Sequence, residues 1–363
     1  MNISAASPSP VMPEPVTPAP VRPTPPPPVP GRGRLLLGGT LFCVLIALLA
    51  VLAGQWVPLV GAPIIAILIG VILANIPATR RLAATLRTKE VSGYALRAGI
   101  VLLGTTLNLG DVATTGARSL PLLAVTLTLG IAFPLLVGRK LGVDWRMRCL
   151  IGMGTTICGA SAIAAVAPVL RAKSEEIAYS ISVIFFFNML AVVLFPVFGH
   201  AMHLSDDGFG MWAGTAVNDT SAVVAAGFAF SKIAGAYATI VKLTRTTLII
   251  PMVLVLGLLM PWLDPQPGGD GHILKRVGKA VPWFIGLFIL ASLINTLGLV
   301  GTAAPELQTL ARFVLVVALA AVGLQGNWRA FAGAGMGPLL LGLGTWIVVA
   351  VSSLAVQYWT MQL

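Results

Sequence analysis

Long apolar runs recur along this chain from about residue 35 to the C-terminus. The runs at 35–53 and 281–299 each contain 19 residues, and about 20 apolar residues in a helix cross the hydrocarbon core of a bilayer. Hydrophobic residues make up 57% of the chain and charged residues only 10%, whereas soluble proteins carry about 25% charged residues. There are too few charges to cover a water-facing surface. The sequence therefore predicts an all-α, polytopic membrane protein.

The apolar runs predict about eleven transmembrane helices. If the N-terminus is cytoplasmic, 15 Lys and Arg residues lie in cytoplasmic segments and four in external ones, while the other four of the 23 fall inside spans. This bias follows the positive-inside rule and favours an external C-terminus. The predicted spans are 35–53, 61–77, 93–110, 119–138, 149–169, 177–199, 211–230, 236–260, 281–299, 306–325 and 337–360.

The first 34 residues have a different composition from the rest of the chain. Twelve of the 26 prolines fall between Pro8 and Pro30, and so dense a series of prolines cannot form a helix. We expect residues 1–34 to be a disordered cytoplasmic tail and residues 35–363 to form the transmembrane domain. The tail could dock a partner, but a solvated extension is the simpler expectation.

Two pairs of segments resemble each other within the chain. The stretch 154–162 is echoed at 214–222, with Gly, Thr, Ser and Ala in register. A fainter echo relates Arg97 and the Pro-Leu-Leu at 121–123 to Arg312 and the Pro-Leu-Leu at 338–340. The second pair fits an inverted repeat, because its helices run antiparallel in the predicted topology. Chance similarity is the alternative in a chain so rich in Gly, Ala and Leu.

The segments 154–162 and 214–222 are poor continuous helices. Glycine lowers helix propensity by about 1 kcal/mol relative to alanine, and Ser and Thr compete for backbone hydrogen bonds. We therefore expect two broken helices at the bilayer midplane, where the N-terminus of a half-helix can face an anion. Close packing through small residues is the alternative. The side chains expected to line this site are Thr155, Ser161, Asn218, Thr220 and Ser221, with the two serines as caps of the half-helices.

Three charged residues lie inside predicted spans near these segments. Asp219 belongs to the second polar segment, and Lys242 and Arg245 follow on the next helix. Their spacing places Lys242 and Arg245 on one helix face, and a charge inside a membrane requires a partner or a watery cavity. Asp219 can neutralise only one of them. The positive excess favours an anion, although a structural ion pair with Asp219 is the alternative reading.

Other classes of function find little support. The three histidines, at 200, 203 and 272, fall in predicted loops, and the chain has no paired acids or metal-binding His spacing within a span. No nucleic-acid recognition motif occurs, and no phosphate-binding G-x-x-x-x-G-K-[ST] motif is present. We expect neither an enzyme nor a metal or cofactor site, and transport would be driven by a gradient.

Three motifs together resemble a known bacterial family. Gly-Thr-Thr-Ile-Cys-Gly-Ala-Ser-Ala-Ile-Ala-Ala at 154–165, Trp-Ala-Gly-Thr-Ala-Val-Asn-Asp-Thr-Ser at 212–221 and Ile-Val-Lys-Leu-Thr-Arg at 240–245 resemble the YeiH-type inner-membrane proteins, which are named as sulfate exporters. The resemblance runs from about residue 35 to the C-terminus. Ala222-Val223 stands where many relatives would have a polar Gln, so one contact is expected to be missing. Membership implies the bile-acid, arsenite and citrate carrier superfamily, with inverted repeats and broken helices at a central site.

The sequence thus predicts a multi-pass secondary transporter of the bacterial inner membrane that exports a small anion, such as sulfate, sulfite or an organic sulfonate. Lys242 and Arg245 are expected to attract the anion, and Asp219 to be their charge partner or a proton acceptor. The coupling ion would be H⁺ or Na⁺, and the sequence leaves open whether the protein forms a homo-oligomer. One alternative is a cation/proton antiporter using Asp219. The other is a non-transporting membrane module that recruits a partner through its Pro-rich tail.

Overall fold

The computed structural model describes residues 31–56, 61–263, 283–326 and 335–360, and within them the regular structure is helical throughout. A short 3₁₀ turn at Gly301–Ala303 precedes the helix that begins at Ala304. The helices are α1 Arg32–Trp56, α2 Gly61–Ala74, α3 Pro77–Thr85, α4 Thr88–Gly104, α5 Leu109–Val137, α6 Trp145–Thr156, α7 Ala160–Val166, α8 Ser174–Ala201, α9 Asp206–Ala216, α10 Thr220–Phe230, α11 Lys232–Thr247, α12 Ile249–Leu263, α13 Trp283–Thr296, α14 Ala304–Gly323 and α15 Met336–Trp359.

Six helical segments in the described residues are long and apolar enough to cross a bilayer, or up to seven if the bent pair α2–α3 counts as one span. The other apolar runs form shorter or interrupted helices. This outcome confirms the multi-pass helical class, whereas the count of eleven spans and the inverted repeats stay predictions. The six are Arg32–Trp56, Leu109–Val137, Ser174–Ala201, Lys232–Met260, Gly301–Gly323 and Met336–Trp359.

The bend between α2 and α3 has a local cause. The two helices meet at an angle of 107°, and α3 begins with Pro77. Proline lacks the N–H that would continue α2 but fits the first turn of a new helix. The Asn75 side chain donates to the carbonyls of Val71 and Gly326, at 2.8 and 3.2 Å. The turn is therefore hydrogen-bonded to the segment just after α14.

The outer helices present apolar side chains to their surroundings. Leu37 and Leu41 of α1 are each 61% exposed, and only 28% of the most apolar window of α1 is buried inside the protein. Exposed apolar surface on this scale marks contact with a membrane or a partner. Lipid is the natural neighbour for a helix of this composition.

Helices α2 and α14 approach each other at two glycines. A Cβ on Gly70 would lie 2.7 Å from the Ala320 carbonyl oxygen, and one on Gly323 would lie 2.4 Å from the Ile67 oxygen. Small residues allow helix backbones to touch in this way in membrane proteins. We call this line of contact the α2–α14 seam.

Two details of the expected organisation change. Helix α1 begins at Arg32, inside the expected tail, while residues 1–30 of that tail lie outside the described residues. Helix α8 extends to Ala201, so His200 lies in a helix rather than in a loop, and its ring stacks on Phe230 at 4.2 Å. His272 lies outside the described residues.

Candidate functional site

Both polar segments interrupt their helices, and the two interruptions touch. Helix α6 ends at Thr156 and α7 starts at Ala160, while α9 ends at Ala216 and α10 starts at Thr220. Gly159 has a φ of +65°, and a Cβ built on it would lie 3.3 Å from the Cβ of Asp219. Only glycine adopts such a backbone conformation without strain. We call this contact between the two interruptions the helix crossing.

Lys242 of α11 is wholly buried at the helix crossing. Its Nζ donates to the Ile157 oxygen at 2.7 Å, to the Val217 oxygen at 3.1 Å and to the Asn218 oxygen. An ammonium group has three donors, so these contacts use all of them. The side chain joins the interruption after α6 to the interruption after α9.

Arg245, one turn further along α11, is 1% exposed and makes a similar bridge. Its Nε and Nη2 donate to the carbonyls of Thr156 and Thr155 at the end of α6. Its Nη1 donates to Thr215 at 2.5 Å and to Val217 at 3.2 Å, at the end of α9. The last carbonyls of a helix carry roughly half a negative charge. The two cations therefore compensate the C-termini of α6 and α9.

Asp219 is the N-cap residue of α10, at the end of the second interruption. Its carboxylate accepts hydrogen bonds from the Ser221 backbone N–H at 3.0 Å and from the Ser221 hydroxyl, and so it caps α10. Among the described residues, neither Lys242 nor Arg245 has a carboxylate within salt-bridge distance. The alternative reading of a structural ion pair with Asp219 is therefore wrong. The acid neutralises a helix N-terminus, and the bases neutralise C-termini.

The capping role expected of two serines is also wrong. The N-cap position of α7 is Gly159, which has no side chain, and the Ser161 hydroxyl donates to the Cys158 carbonyl at 3.2 Å. Ser221 donates to the carboxylate that caps α10 instead of being the cap. Thr220 is half-buried as the first residue of α10. A carboxylate is the stronger acceptor beside a positive helix end.

Two of the expected site residues hold buried polar atoms without a partner. Thr155 is fully buried and its Oγ1 makes no hydrogen bond, and Asn218 is 1% exposed with neither Oδ1 nor Nδ2 bonded. Buried polar groups almost always have a partner. Both lie at the helix crossing, where an ordered water or a small ligand would satisfy them.

Asn188 of α8 is a site residue that the sequence did not reveal. Its Oδ1 accepts the backbone N–H of Asp219 at 3.0 Å. A cavity of about 30 Å³ lies beside it, with Asn188, Asp219 and Ser221 among its lining residues, and that volume suits about one water molecule. A lone amide within the apolar run 177–199 is the signal that could have identified it.

Two larger cavities lie toward the ends of the α2–α14 seam. One of about 270 Å³ is lined by Arg80, Arg87 and Lys89 together with Ala74 of α2 and Leu324 just after α14. The other, of about 330 Å³, is lined by Lys232 and Arg312 together with Pro63 of α2 and Leu319 of α14. The small cavity beside Asp219 touches the same seam at Ile67 and Gly323. Each outer cavity is therefore basic, and the small one contains the acid.

Comparison with known sequences identifies the family. The family described as conserved hypothetical protein 698 matches residues 38–342. The chain belongs to that family. The region that matches this family covers every residue of the helix crossing and ends within α15. No solved structure matches the chain significantly.

Curated relatives carry the same kind of description. A "UPF0324 membrane protein" of Streptococcus mutans is 41% identical over 330 residues, 89% of this chain and 96% of the relative. One of Streptococcus pyogenes serotype M3 is 41% identical over 333 residues, and one of Clostridium tetani is 37% identical over 331 residues; each alignment covers 88% of this chain and 96% of the relative. These names confirm a membrane protein. The YeiH-type designation as a sulfate exporter is not confirmed and stays a prediction.

Proposed function

We propose that the protein is a gradient-driven secondary transporter that exports a small anion along the α2–α14 seam. The observation that carries the proposal is the series of three cavities on that seam, with the helix crossing beside the middle one. Broken helices with charged groups at their ends form the binding sites of many transporters. Basic residues in the two outer cavities raise the local concentration of anions.

Lys242 and Arg245 act through their electric field in this mechanism. Their donors already bind carbonyl groups, so direct contact with an anion would require those bonds to break. Two cations and the N-termini of α7 and α10, which carry roughly half a positive charge each, face one carboxylate and two helix C-termini that carry roughly half a negative charge each. The sum is about one positive charge with Asp219 ionised and about two with Asp219 protonated. Protonation of Asp219 would therefore favour an anion at the crossing and couple the two ions.

The cation/proton antiporter is the second candidate, and one observation favours it. Asp219 borders the small cavity together with Asn188 and Ser221, which supply further oxygen atoms. Flux driven by a sodium or proton gradient without any added anion would identify this function.

The partner-recruiting module depends on residues 1–30, which lie outside the described residues, and stays a prediction. The bacterial inner membrane, the cytoplasmic N-terminus and the absence of enzyme activity are part of the proposal.

The test is counterflow of radiolabelled sulfate and, in parallel, of radiolabelled taurine into proteoliposomes, with sulfite as a competitor. We expect saturable uptake of at least one of these compounds in the wild type, and this uptake should depend on a pH gradient. Asp219→Asn keeps a good N-cap residue for α10 but removes the charge, so it should fold normally and lose the pH dependence. Asp111→Asn, at the exposed start of α5, is the matched control. Equal pH dependence in Asp219→Asn and the wild type would exclude the coupling role.

A further inference from the structure

The 330 Å³ cavity differs in character from the other two. It lies among α1, α2, α10 and α14, and nine of its twelve lining residues are apolar, including Phe228, Phe313 and Leu319. Its polar lining consists of Lys232, Arg312 and Thr309. Ligand pockets are commonly of this size, mostly apolar and oriented by a few polar groups.

The two basic residues of this pocket lack a counter-ion. Neither Lys232 nor Arg312 forms a salt bridge with a described carboxylate. Arg312 is half-buried, and its Nε is inaccessible to solvent and has no hydrogen-bond partner. A guanidinium group that is partly withdrawn from water, inside a helix long enough to span a membrane, favours an anionic partner. Lys232 is exposed at the start of α11 and adds a second positive charge.

We propose that this pocket binds a small amphipathic monoanion, with its carboxylate or sulfonate on Arg312 and Lys232 and its apolar body between Phe228, Phe313 and Leu319. Inorganic sulfate suits the pocket poorly, because a doubly charged ion would lose its hydration against mainly apolar walls. Two oxygens of a carboxylate or a sulfonate match the two-pronged donor geometry of a guanidinium group. Resting on the transport proposed above, this assignment names the substrate class: organic monoanions rather than inorganic sulfate.

The pocket also lies on the way to the helix crossing. Val224 and Phe228 of α10 line it, and Ser221 and Ala222 on the preceding turn of the same helix line the small cavity. At about 1.5 Å of rise per residue, Ser221 and Val224 are about 4.5 Å apart along the helix axis. A monoanion bound in this pocket would therefore lie about one turn of α10 away from the small cavity beside Asp219.

Equilibrium binding of tritiated 4-methylbenzenesulfonate to the purified full-length protein, in an uncharged detergent, tests the pocket. The uncharged 4-methylbenzenesulfonamide of similar shape and inorganic sulfate serve as competitors. Arg312→Gln removes the unpaired charge and should leave the protein folded, whereas Arg312→Lys restores a charge. Thr309→Trp obstructs the pocket at an exposed position while keeping both cations. Arg139→Gln, at an exposed position after α5, is the matched control.

We expect saturable binding that falls by about tenfold or more in Arg312→Gln, as for loss of a buried charge partner. Arg312→Lys should recover part of the affinity, Thr309→Trp should lose it, and Arg139→Gln should bind like the wild type. Both competitors should be weak. Absence of saturable binding, or wild-type affinity in both Arg312→Gln and Thr309→Trp, would overturn the proposal. Arg312-dependent binding of phosphatidylglycerol but not of the sulfonate would also overturn it and make the pocket a lipid site.

Counterflow measured on the same preparations separates this proposal from the transport proposal. Binding that requires Arg312, with no flux of any anion, would support the pocket and reject transport. Flux of inorganic sulfate without sulfonate binding would support transport and reject the pocket.

Discussion

Lys242 and Arg245 illustrate how a buried charge can be satisfied without an opposite charge. Both are at most 1% exposed, and their partners are backbone carbonyls freed by two helix interruptions. Such carbonyls would otherwise be costly to bury. The cations and the interruptions therefore depend on one another, and a change in either should destabilise both.

Replacing Lys242 with Met tests this dependence. The carbonyls of Ile157, Val217 and Asn218 would lose their Lys242 donor, at about 1–3 kcal/mol for each one left unsatisfied. We expect a loss of about 3 kcal/mol in the free energy of unfolding, because Arg245 still binds Val217 and water can satisfy part of the rest. Thermal unfolding of the purified protein in detergent measures it.

Lys140→Met is the control for this prediction. Lys140 is exposed after α5, and a surface substitution away from special features usually changes stability by no more than about 0.5 kcal/mol. A Lys242→Met protein that unfolds at the same temperature as Lys140→Met would show that water replaces the ammonium group at no cost. Lost flux in Lys242→Met is informative only where folding is retained.

At the scale of the elements, the interruption between α6 and α7 depends on one backbone conformation. Gly159 has φ +65° and ψ −133°, a region that is essentially restricted to glycine. Its missing side chain also leaves room for Asp219, which a Cβ would approach at 3.3 Å. The interruption therefore requires glycine both for its own geometry and for contact with the second interruption.

Gly159→Ala should lower the free energy of unfolding by about 1–3 kcal/mol through backbone strain. The matched control is Gly93→Ala in α4, where an added Cβ meets nothing within 4 Å and helix propensity rises by about 1 kcal/mol. Thermal unfolding of the two variants should therefore shift in opposite directions. Equal shifts would mean that residues 157–159 adopt another conformation in the membrane.

At the scale of the whole molecule, the three cavities share one seam between two helices. The backbones of α2 and α14 touch at Gly70 and Gly323, with no side chain between them. The close approach sets how far the walls of each cavity lie from one another. Widening the seam should alter the protein's stability and its path for ions together.

Gly323→Ala widens the seam, because its Cβ would lie 2.4 Å from the Ile67 carbonyl oxygen. Overpacking of this kind costs about 1–3 kcal/mol, and we expect a lower unfolding temperature and a changed rate of counterflow. Gly286→Ala in α13 is the control, since nothing lies within 4 Å of the added Cβ. Unaltered counterflow in a folded Gly323→Ala protein would argue against the seam as the path.

The sequence by itself determined the class of the protein and the positions of its interruptions. Apolar runs specify membrane helices because a chain inside hydrocarbon must satisfy its own backbone hydrogen bonds, and a helix does so within one segment. The structure confirms the multi-pass helical class. The polar segments 154–162 and 214–222 specify interruptions through local helix propensity. Both properties are local along the chain, so periodicity and composition report them.

Only the tertiary structure decided what the charged residues contact. The sequence indicated an ion pair or a bound anion as the partner of Lys242 and Arg245. Helix α11 packs against both interruptions, however, and the N–H groups of these two side chains donate to backbone carbonyl oxygens there. Asn188 and the cavity at Arg312 likewise depend on helices that are distant in the chain. Every residue type has the same backbone carbonyl group, so a sequence pattern cannot show which carbonyl a buried cation will contact.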